Sequence, residues 1–148
     1  MLERTLAADM TGERPVPSVS AAASLREVAA ALVAGGLGAV AVNGESDRLL
    51  GLLSAGDIVG FLVAGEDLDE TTAGDVVVPA DPLSPDDTHF DALSLMVVRG
   101  VSHLPVMAGN RLVGIVSANQ MLREAYRELE QGYMRAQRQV FGPQVTEG

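Results

Sequence analysis

The chain has 148 residues, 47% of them hydrophobic and only 3% aromatic, enough apolar material for one compact domain, or two small ones folding together, with a core of Ala, Val, Leu and Ile. Its net charge of −10 repels phosphate backbones and argues against general nucleic-acid binding; all ten basic residues are Arg, and they form no cluster. With no Cys there is no disulfide framework or thiolate metal site, and no apolar run approaches the ~18 residues of a membrane span.

The N-terminus, Met1-Leu2-Glu3-Arg4, lacks the basic and apolar regions of a signal peptide. A cytoplasmic protein without membrane contact is expected. A short first helix should carry Leu6, Ala7 and Met10, followed by an extended piece, Val16-Pro17-Ser18-Val19. Ser24 and Glu27 then form a capping pair for a helix with the apolar face Leu25, Val28 and Leu32, which Gly35-Gly36 stop. A strand over 39–42, the turn dipeptide Asn43-Gly44 and a returning strand over 49–53 give a hairpin signal.

The run Gly51-Leu52-Leu53-Ser54-Ala55-Gly56-Asp57-Ile58 passes from that strand into a helix. Ser54 and Asp57 are a second capping pair, with the acid where the helix dipole is positive. The N–H groups freed at such a helix start can hold an anion. The acidic stretch 65–70 reads as a short solvated connector.

The same order then recurs. Ser20 aligns with Ser84, Ser24 with Thr88, Glu27 with Asp91, Gly36 with Gly100 and Val42 with Val106. After a turn one residue shorter, Gly51 aligns with Gly114 and Ser54 with Ser117. The chain is two copies of a unit of about 60 residues. In the second copy Thr72 and Asp75 can cap a short helix, Asp81-Pro82-Leu83 is the extended piece, and Thr88 and Asp91 cap a helix with the apolar face Leu93, Met96 and Val97. Strands over 104–106 and 112–116 flank the turn Gly109-Asn110, and the last helix starts at Ser117. One residue departs from the repeat: Gln120 stands where the first copy has Asp57.

From Leu122 the last helix continues past the end of the repeat. Leu122, Tyr126, Leu129, Tyr133, Ala136 and Val140 step by fours and threes, an a/d seam of about two and a half heptads. It can pack back on its own domain or form a subunit contact. Gly142-Pro143 should end the helix, leaving a loose tail.

The ordered repeat, its Gly-hh-Ser-x-x-Asp ending, the Ser-x-x-x-Ser-Leu-x-Glu-Val run at 20–28 and the Gly-Val-Ser-His-Leu-Pro-Val run at 100–106 resemble paired CBS domains, a Bateman module. The resemblance implies an α+β fold: tandem β-α-β-β-α units related by a pseudo-twofold, here with a long C-terminal helix. The units would be 1–65 and 71–128, joined by 66–70 and followed by an extension over 129–148. It also implies a regulatory, non-catalytic homodimer, with adenosyl ligands (AMP, ADP, ATP, S-adenosylmethionine, sometimes NADH) in the clefts, no required cofactor, and a regulated protein partner. By the same resemblance Asp57 would accept the ribose hydroxyls, Ser54 and Ser18 would contact the ligand, and adenine would lie against Gly38, Ala39 and Val40. The second site, with His103, Pro105, Ser117 and Gln120, would be weaker, because Pro82 replaces a Thr and Gln120 the Asp.

The physics of the two side chains agrees. A carboxylate accepts from two hydroxyls without donating, whereas Gln120 offers one carbonyl oxygen and an NH₂. Yet both Ser pairs serve as helix caps whether or not anything binds, so a structural or dimerisation module with degenerate, empty clefts is the alternative. Gly36-Leu37-Gly38 lacks the third Gly of a dinucleotide fingerprint. His89, expected at a helix edge, and His103 lack a metal-site signature, and Arg99 and Arg111 could meet a phosphate but read as solvated surface residues.

Overall fold

The computed structural model describes residues 2–9 and 15–141. Met10, Gly142-Pro143 and the tail lie outside the described residues, as does the side chain of Val140. In the first repeat β1 (Ser18–Ser20) pairs parallel with β2 (Ala39–Asn43), and β2 pairs antiparallel with β3 (Leu49–Ser54). Helix α1 (Leu25–Gly35) links β1 to β2. Ser24 Oγ accepts from the Glu27 N–H at its start, and Gly36, at φ +67°, ends it in the left-handed conformation that costs Gly least. Leu25, Val28 and Leu32 of α1 are buried on Val40, Val42 and Leu53. The β2–β3 connection is longer than a dipeptide turn: a 3₁₀ turn over Glu45–Asp47 carries the positive φ angles, at Ser46 and Asp47. Helix α2 (Ala55–Val63) follows β3 without a break and buries Ile58 in the same core.

The second repeat follows the pattern with α4 (His89–Arg99), β4 (His103–Ala108), β5 (Arg111–Ser117) and α5 (Ala118–Phe141). Ala108 and Arg111 pair across a two-residue turn with Gly109 at φ +64°, as Gly-Asn leads one to expect. The extended piece before α4 is reduced to one bridge, Leu83 to Val106; two residues on, Pro85 has no N–H to continue the ladder. On α4 the buried face is His89, Ala92 and Met96; Val97, expected in the core, lies one residue off that face and is exposed.

The short segments ahead of each repeat dock on the other one. Leu6, in a 3₁₀ turn over Leu6–Asp9, is buried with Met96 and Leu104, and its N–H bonds to Asp87 O at 2.8 Å. Helix α3 (Ala73–Val76) lies on the first repeat, where the Ala73 N–H donates to Ala23 O and the Gly74 N–H to Ala21 O, each at 2.8 Å. The acidic stretch is therefore held rather than simply solvated: Asp69 pairs with Arg26 of α1, and the Arg26 N–H bonds to Leu68 O. Between the sheets, Ala39 and Ala41 of β2 pack with Ile115 of β5, and these small residues let the repeats meet closely. Gly51 is required at this seam, since a Cβ there would lie 2.2 Å from Val78 O. Among the described residues no helix is long and apolar enough to cross a membrane.

Candidate ligand clefts between the repeats

Ser54 ends β3 and caps α2. Its Oγ accepts from the Asp57 N–H at 3.2 Å, and Asp57 Oδ2 accepts from the Ser54 N–H at 2.8 Å, a full capping box. The Ala55 N–H goes to Gly38 O at 3.1 Å. The anion site expected at this helix start is thus largely self-satisfied: of the N–H groups of residues 55–57, two are taken, and Gly56 alone is left to an incoming acceptor. Asp57 itself is exposed, and one of its carboxylate oxygens is not used by the cap.

Asp57 faces a cleft of about 610 Å³, within the range of small-molecule sites. Leu52, Val78, Val101 and Leu104 give it an apolar wall. Its polar groups are Ser54, Asp57, Asp81, Arg99, Ser102 and His103, so the first repeat supplies the capping pair and the second repeat the rest. Arg99 was read as solvated; it lines the cleft and pairs with Asp81 through Nε. His103 is fixed across the repeats. Its Nε2–H donates to Leu37 O at 3.2 Å, so Nδ1 accepts from the Ser102 hydroxyl at 2.9 Å. Gly38, at φ +88°, gives this ring room, since a Cβ would sit 3.3 Å from His103 Nε2.

The expected site residues divide. Ser54, Asp57 and Ala39 line this cleft. His103 lines it too, instead of the second cleft to which the sequence reading gave it, because β4 of one repeat faces the helix start of the other. Gly38 lies behind His103, Val40 points into the first core, and Ser18 is exposed on β1; none of the three lines the cleft. Pro105 is fully buried in β4 and lines neither cleft.

The second cleft, about 540 Å³, holds Ser117 and Gln120 with Leu6, His89, Arg123, Glu124 and Arg127. Ser117 Oγ accepts from the Gln120 N–H at 3.1 Å, so the cap is kept without the carboxylate. His89 opens α4 and is buried beneath the N-terminal segment, with Nδ1 donating to Arg4 O at 2.8 Å. The charges contrast. Asp57, Asp81 and Arg99 make the first cleft net negative, and Arg123, Arg127 and Glu124 make the second net positive. Asp81, Arg99 and Ser102 were missed by sequence reasoning. The available signal was the pseudo-twofold, which sets the entry to one repeat's sheet against the other's helix start.

Residues 7–64 and 73–127 each match the family model described as CBS domain. The chain belongs to the CBS-domain family, and it carries the domain as a tandem pair. It is 33% identical over 115 residues to an uncharacterized 33.4 kDa protein in the ribosomal RNA operon of Thermofilum pendens, covering 76% of this chain and 37% of that protein. It is 33% identical over 114 residues to the arabinose 5-phosphate isomerase KdsD of Yersinia pestis, covering 73% and 33%. The chain therefore spans about a third of the length of these curated relatives, and the isomerase match covers only its CBS part. Among solved structures, the CBS domain protein PAE2072 of Pyrobaculum aerophilum, complexed with AMP, matches with a TM-score of 0.71 at 23% identity, covering 78% of this chain and 88% of that one; the likeness is one of fold. Hypoxic Response Protein I, solved with two coordinated zinc ions, matches with a TM-score of 0.68 at 29% identity, covering 81% and 98%. Among the described residues here, no group of three or more His, Asp or Glu could hold a metal.

Proposed function

We propose that the chain is a ligand-sensing regulatory pair that binds an adenosyl compound in the Asp57 cleft and signals through dimer or partner contacts. The observation that carries this reading is an exposed carboxylate, with one oxygen unused by its cap, at the polar end of a cleft with an apolar wall. A carboxylate suits a vicinal ribose diol, and an apolar wall suits a purine face. The AMP complex of PAE2072 adds support from a protein of the same fold. Charge ranks the ligands. Among the described residues the only cation lining the cleft, Arg99, is already paired with Asp81, so a triphosphate meets a net negative site. AMP or S-adenosylmethionine therefore binds more tightly than ATP. The second cleft, with Gln120 for the acid, holds the same ligands more weakly. Val33 on α1, Val59 and Val63 on α2, and Val97 and Val98 on α4 are exposed apolar residues that a regulated partner would cover.

Thermal melting with AMP, ADP, ATP, S-adenosylmethionine and NADH tests the reading. A ligand at 100 times its Kd stabilises by about 2.7 kcal/mol, a rise of roughly 5–11 °C for a chain of this size. If no compound moves the melt at millimolar concentration, the clefts are empty and the chain is a structural module.

A further inference from the structure

Helix α5 leaves the body of the protein. Its first turns are anchored by Met121, which is buried, and by Ala118 packed on the second core. Every described side chain over 129–138 is exposed. Leu122, Tyr126, Leu129 and Tyr133 are 57%, 66%, 57% and 63% exposed, so the seam does not pack back on its own domain. Helices in proteins draw most of their stability from packing an apolar face, and the regular Leu/Tyr stripe along this one calls for a cover.

The flanking residues say what the cover is. With Leu122 and Leu129 at d and Tyr126 and Tyr133 at a, the e positions are Arg123, Glu130 and Gln137, and the g positions are Ala118, Ala125 and Gly132. In a parallel pair e faces g, and each e residue would meet only Ala or Gly. In an antiparallel pair e faces e and a meets d. The register that sets Tyr126 on Leu129 of a second copy also sets Leu122 on its Tyr133, so all four central layers join Leu to Tyr. Asn119 and Ala136 close the ends. The same register brings Arg123 beside Glu130 of the second copy, twice by symmetry. Sliding by one heptad sets Glu130 against Glu130 or Arg123 against Arg123. Among the described residues neither Arg123 nor Glu130 has an ion-pair partner in its own chain. We infer that two copies of this chain join through the exposed seam of α5, as antiparallel helices with their two-fold axis between Arg127 and Glu128.

Sedimentation equilibrium on the full chain tests this, with circular dichroism to verify folding. Glu130→Arg sets like charges together twice and weakens the dimer by about tenfold or more, and the double variant Arg123→Glu/Glu130→Arg restores it to within about threefold. The chain has no Cys, so introduced thiols report geometry directly. An oxidised mixture of Tyr126→Cys and Leu129→Cys chains cross-links to the mixed dimer faster than either variant cross-links to itself. The inference is overturned by a monomer at about 100 μM, well above the range of specific dimers. It is equally overturned by a dimer indifferent to Glu130→Arg, a charge swap that fails to rescue, or self-linked species that form first.

Discussion

Replacing Asp57 by Asn separates the two tasks of that side chain. The carboxylate caps α2 through Oδ2 and offers its second oxygen to the cleft. Asn keeps one acceptor for the Ser54 N–H, so the cap survives; what is lost is the charge at the helix start, about 0.3–1 kcal/mol. Across 148 residues that lowers Tm by roughly 1–4 °C. The ligand loses more. The group facing the cleft becomes an NH₂ donor, so a charge-assisted bond worth about 1.5–3 kcal/mol is lost and AMP affinity falls roughly 13- to 160-fold. Asp57→Ala removes the cap as well, and costs more in both Tm and affinity. Differential scanning calorimetry gives the first quantity and titration calorimetry with AMP the second. If Asp57→Asn shifts Tm as much as Asp57→Ala and leaves AMP binding unchanged, Asp57 is a helix cap and nothing more.

Three other outcomes follow from the geometry. Gly51→Ala drives a methyl into Val78 O and Val77 Cγ2; the backbone of the inter-repeat seam must move, and urea unfolding should show a loss of at least about 1–3 kcal/mol. Gln120→Asp restores the missing acid beside Ser117 and should raise the second cleft's AMP affinity by about 5- to 13-fold, read as a second binding event in titration calorimetry. The Arg26 guanidinium, by its hydrogen bonds, holds the Asp69 carboxyl below the usual carboxylate range. A lowered folded-state value means that the pair's contribution is present above the unfolded value, near pH 4, and is lost as pH falls through the folded one. Tm curves of wild type and Asp69→Asn should therefore run apart by a small, constant amount at neutral pH and converge in acid.

Much of the fold was legible because the chain states it twice. Ser24, Ser54, Thr88 and Ser117 each cap a helix as their spacing predicts, and Gly36 and Gly100 end helices in the left-handed conformation. What the repeat hid was exchange between its copies. Leu6 and Ala73 precede one repeat and pack on the other, a fact of tertiary packing with no local signal. For the same reason Ser54 and Asp57 were found, while their neighbours Asp81, Arg99 and His103 were missed or given to the other cleft. Ser18 and Val40 sit in the expected strands, but the pleat turns one to solvent and the other to the core. On α4 the apolar run over 95–98 blurs the period, which is how Val97 came to be placed inside.

The central claim is that Asp57 holds a ribose, and a crystal structure of the chain grown with AMP tests it most directly. The account predicts AMP between the repeats, with both ribose hydroxyls at about 2.5–3.0 Å from the Asp57 carboxylate and the base against Leu52, Val78 and Leu104. AMP bound only beside Ser117 and Gln120, or a cleft still empty at saturating AMP, would contradict it.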